Sequence, residues 1–388
     1  MGSLTVRSLE TIIVDLPLRR LQRFAAVGAT TQSIVLLRAV TSEGWEGIAE
    51  AVTPSGPWWS GESVESIKLM IDRYIAPLVI GADPFALAAL RAEIDRAVHG
   101  NNFAKATVEM ALLDIQGKAV SRPLHELLGG KRRTGLPCAW PLATGDAGAE
   151  IDEAEAMIAS GRHNRFKLKM GALQPTVDVA RACTIARALD GRASVRVDPN
   201  ERWDESTVKW AVPRMEEAGI ALIEQPMPRW NLDASARLTA RAQMPVMIDE
   251  SLASAQDMLR IVQLHAADVV ALKIMKSGGI LATKRIADMA EAGGVALYMG
   301  TFLEGSIGTA ANMQLAATLG DLPFDGELSG PSLIADDIAA EPAQYRNFEL
   351  QLPQGNGIAA AVDEDKLKAY RRDKSYTTHA VSPGGAKQ

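Results

Sequence analysis

The sequence has little cysteine and no long apolar run. Its two cysteines, Cys138 and Cys183, form no CxxC motif among 388 residues, which excludes a disulfide framework and a cysteine-rich metal site. No stretch approaches the roughly 18 apolar residues that a membrane span needs, and the start of the chain lacks the apolar core of a signal peptide. We therefore expect a cytoplasmic protein that does not bind a membrane.

A surplus of positive charge is also missing. Lysine and arginine number 41 against 47 aspartate and glutamate residues, so the formal net charge is −6. Sequence-independent nucleic-acid binding needs a basic face, and we exclude it. Hydrophobic residues make up 47% and charged residues 23%, as in globular rather than disordered chains. At roughly 150 residues per domain, the length favours two domains, or a large barrel with an appendage.

The first 130 residues combine strand and helix patterns. Pro, Gly and Ser residues predict loops at 17–30 and 53–61. Around these loops, β-rich runs at 5–16, 31–40 and 45–52 predict an antiparallel meander, and apolar residues at helical spacing predict helices over 62–78, 86–98 and 102–120. We therefore assign 1–130 to an α+β domain.

From residue 131 short apolar runs alternate with helical segments, which predicts a parallel sheet. A charged residue stands at or near the end of five of these runs, at intervals of 29, 26, 25 and 24 residues: Lys169, Asp198, Glu224, Asp249 and Lys273. Eight β/α units take about 250 residues, so these intervals fit a TIM barrel, whose active site lies at the carboxyl ends of its strands. Fewer than eight strands are recognisable, so we expect a modified barrel over 131–320.

The residues after 320 lose this period. Gly and Pro residues interrupt 321–375, and the polar segment 376–388 ends in SPGGAKQ. We expect 376–388 to be a flexible tail.

Three of the strand-end residues are carboxylates: Asp198, Glu224 and Asp249. Three acids that converge without a cation would repel one another and would be costly to bury. Mg²⁺ or Mn²⁺ prefers oxygen ligands, whereas zinc sites usually include His or Cys. The pattern therefore predicts a Mg²⁺ or Mn²⁺ site, although each acid alone could equally be solvated or paired with arginine.

Two lysines, Lys167 and Lys169, lie two residues apart in RFKLKM and so point to the same face of a strand. Lys273 follows a run four units of the pattern further along and would lie roughly opposite Lys169 around a closed barrel. A lysine beside other cations is less stable as ammonium, so we expect lowered pKa values and proton transfer by these lysines.

These segments resemble the enolase superfamily: KLK at 167–169, VRVDPN, LIEQP, MIDES and LKIMKSGG. Lysines at 167, 169 and 273 match its muconate lactonizing branch, whereas the mandelate racemase branch uses a late His–Asp pair. The resemblance covers about residues 5–370 and implies a modified (β/α)7β barrel, with a capping domain built from both chain ends. In that superfamily a Lys or His base works with Mg²⁺ on an ene-diolate, an established pattern that the resemblance carries over.

Two segments, TFLEGSIGT at 301–309 and DGELSGP at 325–331, resemble those of muconate cycloisomerases in that branch. The dipeptide epimerases carry an Asp-x-Asp motif where this chain has Asp325-Gly326-Glu327, which argues against that activity. N-acylamino acid racemase and o-succinylbenzoate synthase remain alternatives, and a non-catalytic barrel is a remote one. The GSIG turn either closes the chain after a strand or offers N–H groups to a substrate carboxylate.

Two positions depart from the family pattern. Trp59 stands where a Tyr is usual, and Ser329 stands where a Phe is usual. The smaller side chain at 329 either leaves room for a chlorine substituent on the substrate or only reflects repacking beside the aromatic position. Lys276 remains as in enzymes for unsubstituted muconate.

The resemblance implies roles for the site residues. Lys169 exchanges a proton with the substrate α-carbon, Lys167 stabilises the enediolate, and Lys273 acts electrostatically or as the proton donor for the opposite stereochemistry. We expect Glu327 to orient Lys273 or a water molecule, and Asn200 and Glu250 to be auxiliary polar groups. Trp59 and the 17–30 segment are expected to cover a small dicarboxylate substrate. Family members are often octamers, so we also expect a homo-oligomer.

Overall fold

The computed structural model describes residues 4–23 and 28–372. The expected tail at 376–388 lies outside these residues. Within them, no helix has the length and apolar character needed to cross a membrane.

The N-terminal part is a three-stranded antiparallel sheet followed by helices. Its strands are β1 (Val6–Arg23), β2 (Gly28–Thr41) and β3 (Glu46–Val52). Its helices are α1 (Val64–Met70), a π-helical turn (Ile71–Ile75), α2 (Ala76–Val79), α3 (Leu87–Ala97), α4 (Asn102–Ala119) and α5 (Leu124–Leu127).

The predicted loop at 17–30 is wrong at both of its described ends. β1 continues to Arg23, and β2 already begins at Gly28. The register of the pair shifts between Pro17 and Gln22. A proline lacks the N–H that a ladder uses and is tolerated at such irregularities, so Pro17 marks a break in register rather than the end of the strand.

The sheet packs directly against α4, which is buried on almost every side. A Cβ atom at Gly47 of β3 would lie 2.1 Å from the carbonyl oxygen of Ala111. Only glycine permits so close an approach between strand and helix. This packing fixes the sheet and the segment that follows it over one end of the barrel.

The barrel part begins with a strand that pairs in an antiparallel sheet, and the seven strands that follow form one parallel sheet in which each strand pairs with the next along the chain. Its strands are β4 (Gly135–Pro137), β5 (Trp140–Leu142), β6 (Arg165–Lys169), β7 (Ser194–Asp198), β8 (Leu222–Glu224), β9 (Val246–Ile248), β10 (Val269–Leu272) and β11 (Ala296–Met299), of which β4 pairs outside the parallel sheet. The helices are α6 (Ala147–Ala159), α7 (Pro175–Ala188), α8 (Glu205–Glu217), α9 (Leu232–Thr239), α10 (Ala255–Leu264), α11 (Ile274–Ser277), α12 (Ile280–Ala292) and α13 (Ser306–Ala316).

A short segment around Gly326 closes the barrel. Gly326 forms parallel bridges with Cys138 on one side and with Met299 on the other. Its backbone N–H donates to Pro137 O, and its carbonyl accepts from Ala139 N. Seven parallel strands plus this eighth segment make the expected (β/α)7β barrel.

The C-terminal residues return to the N-terminal part. Arg371 bridges to Val14 of β1, and strand β13 (Glu349–Gln351) pairs with β4 at the start of the barrel part. The elements of this part are α14 (Gly330–Leu333), β12 (Tyr345–Arg346), β13 (Glu349–Gln351) and α15 (Glu364–Tyr370). These contacts support our proposal that 1–130 forms the cap, 131–320 the barrel, and 321–375 a segment that completes both.

Candidate active site

The strand-end residues lie on one rim of the barrel. Lys169, Asp198 and Glu224 are the last residues of β6, β7 and β8. Asp249 and Lys273 directly follow β9 and β10. Because the strands are parallel, all five side chains reach the same end of the barrel.

Lys167 connects three carboxylates below this rim. Its Nζ atom lies 3.0 Å from Asp198 Oδ2, 2.8 Å from Glu224 Oε2 and 2.8 Å from Glu327 Oε2. The lysine side chain is only 1% exposed. Glu327 accepts a hydrogen bond from Lys167 and not from the expected partner Lys273, and its role in orienting a water molecule stays a prediction.

Asp249 holds two further lysines. Lys273 Nζ lies 2.6 Å from its Oδ2 atom, and Lys276 Nζ lies 2.7 Å from its Oδ1 atom. Lys276 is missed by a search for residues at strand ends, because it stands one helical turn later in α11. The repeat of lysine three positions after Lys273 is the signal that points to it.

Lys169 occupies a more open position. Its Nζ atom donates to Asp198 Oδ2 at 2.7 Å, and its side chain is 15% exposed. Of the two lysines on β6, Lys169 therefore reaches the surface of the site, whereas Lys167 lies beneath it.

Asn200 and Glu250 join the turns that follow the carboxylates. Asn200 Nδ2 donates to Glu250 Oε1 at 2.9 Å, and Asn200 N donates to Asp198 Oδ1 at 3.0 Å. Asn200 has φ 44° and Gln225 has φ 32°, both unusual for residues with a side chain. Gln225, which sequence reasoning missed, accepts from Asp249 N at 3.0 Å. Backbone strain of this kind clusters at functional sites.

The buried charged groups shift one another's pKa values. Burial lowers the pKa of Lys167 and Lys273, but the adjacent carboxylates outweigh it and leave both pKa values raised. The expectation of lowered lysine pKa values is therefore wrong for these two. Burial lowers the pKa of Lys276, for which no shift was predicted. Burial and neighbouring acids raise the pKa of Glu224 to about 7.

The donor set suits a hard divalent cation. Oε2 of Glu224 faces the Lys167 ammonium at 2.8 Å, whereas Oε1 of Glu224 and Oε2 of Glu250 are buried without a hydrogen-bond partner. Such orphaned carboxylate oxygens are costly unless a cation faces them. Among residues 4–23 and 28–372, no three His, Cys, Asp or Glu side chains form a ready metal cluster. In this structure the ammonium groups of Lys167, Lys169, Lys273 and Lys276 pair with these carboxylates.

A cleft lies above the carboxylates, with about 430 Å³ of space that includes open solvent. The barrel contributes charged and polar groups, among them Lys169, Asn200, Lys273 and Glu327. The other lining residues are Gln22, Pro54, Trp58, Trp59, Pro141, Thr301, Phe302 and Leu303. Trp59 thus lines the cleft, whereas Ser329 is fully buried and lies outside this lining.

The GSIG turn has a structural role. Gly305 N and Gly308 N both donate to the carboxylate of Glu50 on β3, the latter at 2.9 Å. Ser306 N donates to Asp337 Oδ2 at 2.7 Å. The first N–H groups of α13 are therefore occupied by protein carboxylates, which supports the interpretation as a structural turn.

Glu50 should make stability depend on pH. Burial and the adjacent Asp337 and Glu304 raise its pKa from 4.5 to about 8. The native state then binds a proton more tightly than the unfolded state, so stability falls as pH rises from 4.5 to about 8. Gln does not titrate, so the unfolding free energy of Glu50→Gln should not fall in this way. Relative to wild type, it should rise between these pH limits by an amount on the order of a few kcal/mol. Urea unfolding at pH 5 and pH 8 measures this, and an identical pH dependence in both proteins would contradict it.

Two models of known protein families match this chain. The N-terminal domain model of the mandelate racemase / muconate lactonizing enzyme family matches residues 8–129. The enolase C-terminal domain-like model matches residues 149–366.

Curated relatives cover almost the whole chain. A chloromuconate cycloisomerase of Cupriavidus pinatubonensis is 51% identical over 364 residues, which span 94% of this chain and 98% of the relative. Muconate cycloisomerase 1 of Rhodococcus opacus is 40% identical and spans 96% of this chain and 100% of the relative.

Solved structures of muconate and chloromuconate enzymes closely resemble this structure. The muconate lactonizing enzyme of Pseudomonas fluorescens, in complex with muconolactone, matches with a TM-score of 0.94 at 44% identity and covers 96% of this chain and 100% of its own. The 2-chloromuconate cycloisomerase of Rhodococcus opacus 1CP matches with a TM-score of 0.93 at 41% identity, covering 95% and 100%. The chain therefore belongs to the mandelate racemase / muconate lactonizing enzyme family of the enolase superfamily.

Proposed function

We propose that the protein is a muconate cycloisomerase, which converts cis,cis-muconate or a chloromuconate to the lactone in the catabolism of aromatic compounds. The observation that carries this is the pair of ammonium groups, Lys169 and Lys273, that line one cleft above buried carboxylates. The relatives named for this reaction span nearly the full chain.

The reaction needs charge stabilisation and one proton. An oxygen of one substrate carboxylate bonds to a carbon of the conjugated diene, and the electron pair moves toward the second carboxylate as an enediolate. A proton added at the α-carbon then completes the lactone. The dianion plus one proton becomes a monoanion, and no oxidant or reductant is required.

Asp198, Glu224 and Asp249 would hold the metal ion, and their oxygen-only donors favour Mn²⁺ or Mg²⁺. When bound, the cation would supply positive charge beside the substrate carboxylate where negative charge develops. The unpartnered Oε1 atom of Glu224 supports this assignment. Asn200 and Glu250 hold the turns after Asp198 and Asp249 in place through their mutual hydrogen bond.

Lys169 is the proposed proton donor. It lines the cleft and is the more exposed lysine of β6. Lys167 is held below by Glu327 and two other carboxylates, so it contributes positive charge at a fixed place. Lys273 reaches the same cleft from β10 and would act electrostatically or on the opposite substrate face.

The cap would exclude water from the reaction. Gln22, Pro54, Trp58 and Trp59 come from the N-terminal part and line the cleft beside the barrel residues. Removing water strengthens the electrostatic interactions inside the site. We propose that these groups cover a small dicarboxylate, and that the chain assembles as a homo-oligomer, an octamer by analogy with its family.

A dipeptide epimerase is one of the alternatives, and the structure gives a further argument against it. Asp325 forms a short ion pair with Arg165 at the opposite end of β6 from Lys169. Only Glu327 of this segment lines the cleft. The segment therefore offers one carboxylate, already bonded to Lys167, rather than two for a substrate ammonium.

The direct test is the ultraviolet absorbance lost by cis,cis-muconate and by its 2-chloro and 3-chloro forms, with Mn²⁺ or Mg²⁺ added. We expect turnover of at least one of the three. A protein that turned over dipeptides or N-acylamino acids instead would overturn the proposal.

Two variants address substrate preference. Ser329 is fully buried and lies outside the cleft lining, so a ring at this position must displace packed protein. We expect Ser329→Phe to lower kcat/KM alike for muconate and 2-chloromuconate. Trp59→Tyr, which changes the cleft wall itself, should alter their ratio by about 10-fold or more, since misfit of one substituent is worth about 1–3 kcal/mol.

The measurement is a pair of specificity constants for each variant. A loss confined to the chlorinated substrate in Ser329→Phe would show that the small side chain makes room for chlorine after all.

A further inference from the structure

The ammonium group of Lys273 lies beside two aromatic rings. Its Nζ atom is 4.4 Å from the centroid of Phe302 and 5.2 Å from the centroid of Trp59. The two rings meet edge to face, with centroids 4.6 Å apart and planes at 80°. Resting on the proposed function, we propose that Phe302 and Trp59 form an aromatic clamp that positions Lys273 for the reaction.

The clamp restricts the motion of the Lys273 side chain at Asp249. This carboxylate binds Lys273 through Oδ2 and Lys276 through Oδ1. A lysine stem has four rotatable bonds, so one hydrogen bond leaves its head free to swing about the acceptor. The negative faces of two rings attract the ammonium from another direction and restrict that motion. Lys273 is thereby kept at the cleft wall.

The ring from the cap is itself fixed by the barrel. The guanidinium of Arg229 lies 5.3 Å from the centroid of Trp59. Glu201 holds Arg229 with two ion-pair contacts, Nη2 to Oε2 at 2.6 Å and Nε to Oε1 at 3.0 Å. Glu201 follows β7 and Arg229 follows β8, so the turns beyond two of the carboxylate strands support the cap residue. The clamp therefore links the position of a cap residue to the position of Lys273.

Phe302 is the position at which to test the clamp, because its ring lies nearer to Lys273 Nζ than the ring of Trp59 does. Phe302 also lines the cleft, so KM is measured beside kcat to reveal a lost substrate contact. Phe302→Leu removes the aromatic face but keeps an apolar side chain. We expect kcat to fall about 3- to 30-fold, the range that corresponds to loss of a desolvated cation–π contact, with KM changed less than about twofold. Phe302→Tyr keeps the ring and should restore most of kcat. Phe103→Leu is the matched control, since Phe103 packs on Phe302 at 4.9 Å and is no neighbour of the cleft.

A double-mutant cycle with Lys273→Met isolates the contact. If the ring acts through the lysine, Phe302→Leu lowers the residual kcat of Lys273→Met no further. Equal losses in both backgrounds, no rescue by Phe302→Tyr, or a rise in KM at constant kcat would each overturn the clamp.

Urea unfolding of the same four proteins gives a readout that does not require turnover. We expect Phe302→Leu to lower the unfolding midpoint less when Lys273 is Met. Additive midpoint shifts would overturn the clamp even if muconate is a substrate. Conversely, non-additive midpoint shifts in a protein that converts no muconate would support the contact between Phe302 and Lys273 and refute the proposed function.

Discussion

Lys169→Ala is expected to lower kcat for muconate by about 10²- to 10⁴-fold, the usual contribution of a general acid or base. The lysine lies in the cleft with its ammonium group on Asp198, where it is able to deliver a proton to a bound substrate. The variant should still fold and bind metal, since its side chain is the most exposed of the three strand-end lysines at 167, 169 and 273.

Steady-state kinetics with a thermal-unfolding measurement check this. Lys209→Ala, on the exposed side of α8, is the matched control and should leave kcat unchanged. A loss below about tenfold in Lys169→Ala, together with a far larger loss in Lys273→Ala, would transfer the role of proton donor to Lys273.

Removal of divalent cations should abolish turnover, and Mn²⁺ or Mg²⁺ should restore it. Without a divalent cation, Oε1 of Glu224 stays buried without a partner and the site lacks its main positive charge toward the substrate. Asp198→Asn, Glu224→Gln and Asp249→Asn should each weaken metal binding, measured by calorimetric titration of Mn²⁺.

Binding is the better readout for these three variants, because each also leaves a buried lysine with one carboxylate fewer. Asp288→Asn, on the exposed face of α12, is the control that should bind metal as wild type does. Full activity after exhaustive chelation would refute a shared cation at Asp198, Glu224 and Asp249.

The barrel and its rim were predictable because they follow from local rules. Short apolar runs became β6 to β11, and period-2 alternation already placed Lys167 and Lys169 on one face. The same rules miss elements that have little local signal. β5 is a three-residue strand that contains Pro141, and the closing segment is centred on Gly326.

The site residues that escaped prediction lie beyond strand ends. Gln225 and Phe302 reach the site through turns whose geometry no residue pattern specifies. Lys276 was noted in the sequence, but its contact with Asp249 depends on the short helix α11. The direction of the lysine pKa shifts was also beyond the sequence. It depends on which carboxylates lie within about 3 Å of each ammonium, and only the folded positions of Glu327 and Asp249 decide that.

The way in which Gly326 closes the barrel also bears on how the protein is made. Its two partners, Cys138 and Met299, are separated from it by 188 and 27 residues of chain. A growing chain on the ribosome therefore exposes the unpaired edges of β5 and β11 until the segment near 326 has emerged. Open edges of this kind invite pairing with other chains, and contacts so distant in sequence form slowly. The barrel is therefore closed only once the segment near residue 326 has been synthesised.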